Sequence, residues 1–462
     1  MTDLIDRSIP ELARGLRDGT VKVEALTEAA IARHDRYGKK LNAYKLWKPE
    51  AAKRSARAAS MLFKNGVDLG PMQGIPVSIK DLYAANGWPT FAGTPRRLPR
   101  EYEVEGPVVA ALRAQQAVFP GKTHTVEFAY GGIGSNIHWG TPRNPWDAKQ
   151  HRVPGGSSSG AGVSLCEGSA WIALGTDTGG SVRIPASLTG TVGIKTSIGR
   201  WSRDGIVPLS PIFDTPGILA RSVEDAAVAF AVIDPHTKTP PASRDVAGLR
   251  IGVCERLFFE DCGPGIVEGV QRSLKELAKA GAKVTKFDLP SLKPVYECFR
   301  QGGVVSVEFY EFLQAKLPKW IDTLDPMVVQ RFIKAREMSA TEFLRRCRLF
   351  NEAAQVAAER MASIDVMVAP TIAIAAPTLK EVSTVEGYAP NNLKVLRNTS
   401  IGNLMSMCAI TMPVALDKKR MPVGLQLMAP CGHDERLLGI ALGFERVLGD
   451  GRRRIGRPPM CR

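Results

Sequence analysis

The sequence contains no cysteine pair at the spacing C-x-x-C, although it has eight cysteines in 462 residues. They are scattered along the chain at Cys166, Cys254, Cys262, Cys298, Cys347, Cys408, Cys431 and Cys461. In a chain of this length the pattern favours free thiols in a reducing compartment, because disulfide frameworks belong chiefly to short secreted domains. We therefore expect a cytoplasmic protein without a disulfide framework.

Long apolar runs are also missing. No run approaches 18 residues, and the most apolar stretch, VMVAPTIAIAAP at 366–377, is interrupted by Pro370. The first residues, MTDLIDRSIPELARGL, carry charge from Asp3 onwards, unlike the start of a secretory signal. We expect neither a membrane span nor a secretory leader.

Sequence patterns for metals and cofactors are absent as well. There is no H-E-x-x-H motif, and no cysteine–histidine cluster has the spacing of metal ligands. The run GGSSSG is not followed by G-K-[ST], and GIGSNIHWG lacks the following helix and acidic partner of a dinucleotide site. We expect an enzyme or binding protein that uses no metal and no cofactor.

Acidic residues are outnumbered, with 46 Asp and Glu against 61 Lys and Arg and a formal net charge of +15. Such an excess can serve an anionic substrate or a nucleic acid. No basic stripe interleaved with aromatic residues is present, and the densest run, Arg452–Arg454, is typical of a solvated chain end. We do not expect a nucleic-acid partner.

The apolar content of 44% and the charged content of 23% are typical of a globular protein. Residues 1–65 show helical apolar spacing, and residues 70–235 are rich in Gly, Ser, Thr and Pro with short apolar strands. Residues 246–290 have a strand–helix–strand pattern with Gly281 at the helix end, which predicts parallel strands covered by a helix. We predict an α/β fold in one domain, 1–462, with 70–235 as its catalytic core and 246–462 as the rest of its sheet and helices.

Further elements are predicted in the last segment. Residues 325–362 have a helical pattern, and residues 434–449 predict a closing helix. The runs VMVAP, CAITMPVAL and VGLQLMAP have the composition of short buried strands.

Three short motifs, in order, carry the chemistry. They are GIPVSIKD at 74–81, which contains Lys80, PGGSSSGAG at 154–162, which contains Ser157, and TGGSV at 178–182, which contains Ser181. Each alone is a weak signal, since it is also typical of an edge lysine, a flexible loop or a turn. Together they predict acyl transfer by a serine nucleophile.

A serine hydroxyl needs a base. None of the six histidines lies in a triad pattern, and no G-x-S-x-G elbow is present. A neutral lysine can act instead, provided that burial lowers its pKa by about three units. A second serine can relay the proton, because a hydroxyl both donates and accepts.

The segment GTDTGGSVRIPA, 175–186, suggests how charge on the reacting carbonyl is stabilised. Gly179 and Gly180 leave backbone N–H groups uncovered, so an oxyanion hole is predicted from the N–H groups of Thr178, Gly179, Gly180 and Ser181. Arg183 has two open roles. It pairs with Asp177 and stiffens the loop, or it holds an anionic group of the substrate.

These motifs resemble the amidase signature family. The matching segments are GIPVSIKD, GGSSSGAG and LGTDTGGSVRIPASLTGTVGIKTSIGR, with flanking KTHTVEFAYG, TPRNPWD and MPVGLQLMAP. Together with the N-terminal helical segment, the likeness covers essentially the whole chain. It implies a large mixed β-sheet flanked by helices on both sides.

The resemblance also implies roles. Ser181 is expected to be the acyl-enzyme nucleophile, Ser157 the bridging serine behind a cis Gly156–Ser157 peptide, and Lys80 the general base and later acid. The implied reaction is hydrolysis of a linear carboxamide to a carboxylic acid and ammonia.

The sequence departs from the family in YGGIGSNIHWG and in the third serine of GGSSSG. The first departure suggests pocket walls at Tyr130, Gly131, Ile133 and Trp139. We further expect a substrate with an aromatic or hydrophobic acyl group. The oligomeric state is left open, with a homodimer as one of the alternatives.

Two other functions stay open. One is the glutamine-hydrolysing component of a tRNA-dependent amidotransferase, which shares the three motifs and would use the basic charge. The other is a non-catalytic binding protein on the same fold. The segment MVVQRFIKAREMSATEFLRR resembles the stand-alone amidases, and all three reactive positions are present. We therefore favour a stand-alone amidase.

Overall fold

The structure is a computed structural model that describes residues 4–462, apart from the side chains of Ile333 and Lys334. Residues 1–3, including the predicted charged start at Asp3, lie outside the described part. The strands are β1 Tyr44–Trp47, β2 Val77–Lys80, β3 Gly121–Thr123, β4 Ile172–Asp177, β5 Val192–Lys195, β6 Thr215–Ala220, β7 Arg250–Val253, β8 Lys283–Lys286, β9 Val366–Pro370, β10 Cys408–Leu416 and β11 Pro422–Ala429.

These strands form one mixed sheet in the order β1-β3-β2-β4-β6-β5-β10-β11-β9-β7-β8. β2 runs parallel to both β3 and β4, whereas β4, β6, β5, β10, β11 and β9 pair antiparallel in succession. Strands from every predicted segment therefore join the same sheet. This supports the single-domain organisation, which stays a prediction.

The helices precede, separate and follow these strands. They are α1 Ile9–Arg17, α2 Val23–Leu41, α3 Pro49–Lys64, α4 Pro107–Ala114, α5 Ser159–Glu167, α6 Arg183–Thr189, α7 Val223–Ile233, α8 Ile266–Lys279, α9 Leu292–Arg300, α10 Val304–Lys316, α11 Pro326–Phe332, α12 Ala340–Met361, α13 Val385–Leu404, α14 Asp434–Leu448 and α15 Gly451–Ile455. None of the helices within residues 4–462 has the length and apolar character needed to cross a membrane.

Both faces of the sheet are covered by helices. In β9, Val366 and Val368 belong to the apolar cluster that contains α7, α8 and α14. The alternate residues Met367 and Ala369 belong to the cluster that contains α9, α12 and α13. Successive side chains of a strand point to opposite faces, so the fold is α/β with helices on both sides, as predicted.

The predicted strand–helix–strand unit is confirmed. β7 and β8 pair in parallel, and α8 connects them. Ala280 caps α8 and Gly281 follows with φ +99°, a left-handed conformation that suits glycine. The three predicted buried strands are β9, β10 and β11, and the closing helix is α14.

The sequence did not predict α13. This helix contains Pro390 near its start and a run of buried polar residues that includes Asn392, Asn398 and Asn403. Polar residues in sequence are typical of an exposed segment. Here they are buried because α13 lies against the loop that follows β4, as the contacts of Asn403 show below.

Candidate active site

Lys80 is the last residue of β2, a strand with every position buried. Its side chain is fully buried, and its Nζ donates hydrogen bonds to Ser157 Oγ at 2.7 Å and to Thr176 Oγ1 at 2.8 Å. Thr176 belongs to the neighbouring strand β4, so two adjacent strands and one loop fix the amine. The predicted contact between Lys80 and Ser157 is therefore direct.

Burial lowers the pKa of Lys80 to about 7, while the negative charges of Asp177 and Asp214 oppose that shift. The two nearest partners are hydroxyl groups, which do not neutralise an ammonium as a carboxylate would. A large fraction of Lys80 is consequently uncharged near neutral pH. An uncharged amine in contact with a hydroxyl can take its proton.

The peptide bond between Gly156 and Ser157 is cis, as the resemblance implies. On either side of it the backbone is tied down, because Gly156 N donates to Gly132 O at 2.8 Å and Val126 N donates to Ser157 O at 3.0 Å. A Cβ atom at position 156 would approach Gly134 to 2.8 Å, so the close packing requires glycine. The Gly-rich sequence thus serves to bring the Ser157 hydroxyl onto Lys80.

Ser181 lies in the turn between β4 and α6. Ser158 N donates to Ser181 O at 3.2 Å, so the two Gly/Ser segments are in backbone contact. Ser181 lines a cavity of about 540 Å³, whereas Ser157 is fully buried behind it. The structure thus places one serine at the cavity and the other at the lysine.

The turn that carries Ser181 is fixed by a buried ion pair. Arg183 donates through Nε and Nη2 to Asp177 at 3.1 and 2.9 Å, and also to Gln426 Oε1 and Asn403 Oδ1, both at 2.6 Å. Burial alone would raise the pKa of Asp177, but the charge and hydrogen bonds of Arg183 hold it well below its usual range.

Arg183 is therefore the predicted partner of Asp177. Its alternative role in substrate binding is wrong, because the side chain is fully buried and fully engaged away from the cavity.

One part of the predicted oxyanion hole is also wrong. The backbone N–H of Gly180 donates to Asp177 Oδ1 at 2.8 Å and is already used. The N–H groups of Thr178, Gly179 and Ser181 have no acceptor within the described residues. They remain as three donors at the cavity.

The two glycines of this turn have different tasks. Gly180 has φ +130°, and a Cβ atom there would overlap Thr399 Oγ1 of α13. A Cβ atom on Gly179 would come no closer than 3.5 Å to Leu396. Gly180 is thus required by the backbone and by α13, whereas Gly179 leaves space in the cavity.

The cavity draws its walls from distant parts of the chain. Its lining includes Tyr130 and Gly131, as predicted, and apolar side chains such as Phe213, Phe299, Phe350, Leu393 and Leu396. The predicted walls Ile133 and Trp139 are wrong. Ile133 is fully buried in an apolar cluster. Trp139 donates to Thr94 O, contacts the Phe91 ring edge-to-face and has Lys45 Nζ over its own ring.

Sequence reasoning missed several residues of the site. Thr176 is the second partner of Lys80, and the cavity also contains Arg300, Arg331, Tyr388 and Asn392 from α9, α11 and α13. Because side chains alternate along a strand, the sequence of β4 could have assigned Thr176 to one face of the sheet. The other four lie in segments without a recognisable local motif, so no signal in the sequence pointed to them.

Known proteins resemble this chain over most of its length. The family model described as Amidase matches residues 25–438. The 2-amino-5-chloromuconic acid deaminase of Comamonas testosteroni is 48% identical over 455 residues, covering 98% of each chain. The amidotransferase component of Salinispora arenicola that is named for glutamyl-tRNA(Gln) is 30% identical, covering 97% of this chain and 99% of its own.

A solved amidase crystal structure superposes with a TM-score of 0.87 at 29% identity, covering 96% of this chain and 100% of that chain. The family model matches most of the sequence, and the superposed structure has the same fold. The chain belongs to the Amidase family and is an amide C–N hydrolase.

Proposed function

We propose that this enzyme hydrolyses a linear carboxamide to a carboxylic acid and ammonia through an acyl-Ser181 intermediate, with Ser157 and Lys80 as its proton carriers. The observation that carries the proposal is the buried Lys80 amine at 2.7 Å from Ser157 Oγ, with its pKa lowered to about 7 by burial. An uncharged lysine in contact with a serine has the chemistry of a general base.

Acylation begins when Ser181 Oγ attacks the carbonyl carbon. Ser157 accepts the Ser181 proton and passes its own proton to Lys80, so the lysine becomes an ammonium. The carbonyl oxygen gains negative charge, which the N–H groups of Thr178, Gly179 and Ser181 stabilise by hydrogen bonds. Return of the proton through Ser157 to the nitrogen lets ammonia leave and forms the acyl-enzyme.

Deacylation repeats these proton transfers with water. Neutral Lys80, acting through Ser157, deprotonates a water molecule that attacks the acyl carbon. The new tetrahedral intermediate expels Ser181 Oγ, which takes the proton back and restores the starting state. The products are the carboxylic acid and the free enzyme.

A second candidate substrate class has a specific observation in its favour. The relative that is 48% identical over 98% of both chains is named for the deamination of 2-amino-5-chloromuconic acid. In such a compound the nitrogen that leaves is bound to an sp² carbon next to a carboxylate. In the imine tautomer of the compound, that carbon is electrophilic. Addition of Ser181 Oγ, loss of ammonia and addition of water would give a 2-oxo acid and regenerate the serine.

The remaining alternatives have less support. The relatives named as components of the glutamyl-tRNA(Gln) amidotransferase are about 30% identical over the full chain, against 48% for the deaminase. A non-catalytic role on the same fold would not need a buried lysine with a lowered pKa, since burying a charged or ionisable amine costs stability.

The nucleophile is tested by replacing Ser181 with alanine. We expect the loss of ammonia release from simple amides and from 2-amino-5-chloromuconic acid by at least about 1,000-fold, because the covalent step disappears. Labelling by a serine-reactive fluorophosphonate, read by intact-mass spectrometry, should be lost as well. The matched control is Ser159→Ala, since Ser159 Oγ lies two residues from Ser157 and is buried with no hydrogen-bond partner among the residues that the structure describes.

The Ser159→Ala enzyme should retain labelling and turnover. Labelling of the Ser181→Ala enzyme would place the nucleophile elsewhere. Ammonia release by the wild type from 2-amino-5-chloromuconic acid but from no carboxamide would move the proposal to the second substrate class.

The proposal extends to partners and location. A small-molecule amide is the substrate, and no nucleic acid takes part. A cytoplasmic location is supported by eight free cysteines. The sequence left the oligomeric state open, and a homodimer is the proposal that sedimentation would test.

A further inference from the structure

The cavity at Ser181 has an unbalanced charge. Arg300 and Arg331 both line it, and no Asp or Glu within the described residues does so. An uncharged acyl group would need no cation in an otherwise apolar cavity, because exposing a guanidinium to an apolar ligand costs desolvation. The imbalance points to an anionic ligand.

Arg331 lies in the last turn of α11. Its guanidinium carbon lies 4.1 Å from the centre of the Tyr130 ring, and Nη1 donates to Tyr130 O at 2.6 Å. A guanidinium has five N–H donors, and Arg331 forms no ion pair with a carboxylate within the described residues. The side chain is therefore held in one orientation while donors and charge remain for a ligand.

Other donors surround this guanidinium. The Tyr388 hydroxyl and Arg331 Nη1 both lie close to Gly131. Burial and the charge of Asp325 raise the pKa of Tyr388, and the charge of Arg331 opposes that shift. Asn392 accepts from Gly132 N at 2.8 Å through Oδ1, which leaves its Nδ2 group without an acceptor in the described part of the chain. Arg331, Tyr388 and Asn392 all line the cavity that contains Ser181.

Glycine at position 131 allows Tyr388 to approach the backbone closely. A Cβ atom there would lie 2.5 Å from the Tyr388 hydroxyl and 3.6 Å from Arg331 Nη1. Any side chain at 131 would therefore displace Tyr388 from the arginine. Glycine at 131 thus allows the Tyr388 hydroxyl to lie beside the Arg331 guanidinium at the cavity.

Arg300 differs from Arg331 in its environment. It lies at the end of α9, about half of its side chain is exposed, and it pairs with Glu297 at 3.3 Å. An exposed and already paired arginine contributes little to the binding of one carboxylate. Of the two cations, Arg331 is the one built to hold a ligand.

We propose that Arg331, with Tyr388 and Asn392, binds a carboxylate of the substrate. The enzyme then acts on a small organic acid, and the carbon that carries the reacting C–N bond lies at Ser181. The inference rests on the proposed attack by Ser181. The substrate class is a dicarboxylate derivative, such as the half-amide of a dicarboxylic acid or an amino-substituted dicarboxylic acid. A zwitterion such as glutamine fits less well, because no carboxylate among the described residues of the cavity would accept its ammonium group.

The test compares matched amides that differ in charge alone. Ammonia release is measured for succinamate, glutaramate and adipamate against butanamide, pentanamide and hexanamide. We expect kcat/KM for the best half-amide to exceed that of its neutral counterpart by about 10- to 100-fold, the range for a hydrogen-bonded charge pair. Arg331→Gln should lower kcat/KM for the half-amides at least about tenfold more than for the neutral amides and so remove most of this preference.

Two further variants separate recognition from folding. Arg331→Lys keeps the charge and should retain part of the preference. Arg300→Gln should reduce it by no more than about threefold, because that arginine is exposed and paired. An Arg331 variant that lost activity equally on charged and neutral amides would show a structural role for this residue and overturn the inference.

Binding is measured independently of turnover. Adipate, glutarate, hexanoate and hexanamide are compared as competitors of fluorophosphonate labelling at Ser181. Stronger protection by a dicarboxylate than by hexanamide, lost in Arg331→Gln, supports the inference. If the wild type is labelled but shows no preference for anions, the inference is overturned and the proposed function stands. If the wild type is neither labelled nor active on any amide or amino acid substrate, the proposed function is overturned.

Discussion

A buried lysine whose neighbours are hydroxyl groups is the residue on which the chemistry depends. Lys80 touches Ser157 and Thr176, and no carboxylate within the described residues forms an ion pair with it. An ion pair would hold the amine in its charged form. Desolvation without such a pair gives a base that works near neutral pH.

The acid limb of the pH profile follows from this lysine. Because burial lowers the pKa of Lys80 to about 7, the active neutral form predominates above that pH and disappears below it. We expect kcat/KM for a neutral amide to fall about tenfold per pH unit below 7 and to level off at higher pH. The rate of fluorophosphonate labelling of Ser181 should follow the same curve, since it uses the same base.

Lys80→Arg provides the comparison. Arginine stays protonated throughout this range, so the variant should be inactive at every pH. A wild-type labelling rate that is flat between about pH 5 and 9 would exclude Lys80 as the base.

Local motifs in the sequence pointed to some residues of the site and missed or misplaced others. Lys80, Ser157 and Ser181 each lie in a short unusual sequence, and the structure brings Lys80 to Ser157 and Ser181 to the cavity, while their catalytic roles stay predictions. Ile133 and Trp139 were assigned to the substrate wrongly, and of the two roles left open for Arg183 the substrate-binding one was wrong, because sequence proximity to the site does not tell which way a side chain points. Arg183 turns into the protein to meet Asp177, Gln426 and Asn403.

Among the elements, the turn between β4 and α6 depends on α13. Asn403 of α13 donates to Asp177 Oδ1 at 2.9 Å, and Thr399 donates to Gly179 O at 2.8 Å. A helix some 220 residues away in sequence therefore holds the turn of the nucleophile. This pairing was out of reach of the sequence, since the buried asparagines of α13 look like surface residues until their partners are known.

Gly180→Ala tests that dependence. A Cβ atom at 180 would overlap Thr399 Oγ1, and φ is +130°. We expect a loss of about 2–4 kcal/mol in the free energy of unfolding, measured by urea denaturation, because both the clash and the backbone strain must be relieved. Turnover should fall at least about 100-fold, since Ser181 moves with the turn.

Gly179→Ala is the matched variant. Its Cβ atom would lie 3.5 Å from Leu396, an ordinary contact distance, so stability should change by less than about 1 kcal/mol. The expected effect is on KM, because the methyl group enters the cavity. Equal destabilisation by both substitutions would contradict the assigned difference between the two glycines.

Over the whole molecule, the architecture was predictable and the use of its charge was not. The strand–helix–strand unit at 246–290 was found from spacing alone, and the resemblance to the amidase signature family implied the mixed sheet covered by helices. The net charge of +15 gave no partner by itself. The cavity suggests a use for the net charge in binding anions, because two arginines line it and no Asp or Glu among the described residues does so.

A positive molecule with a positive cavity should attract anions before they bind. Electrostatic attraction in solution is screened by salt over about 10 Å at 0.1 M. We expect kcat/KM for adipamate to fall several-fold between about 0.02 and 0.5 M NaCl, whereas that for hexanamide stays constant. The salt slope should survive in Arg331→Gln, because it arises from the net charge of +15 rather than from one contact. An equal decline for hexanamide would show that salt acts on the enzyme itself and not on the approach of the anion.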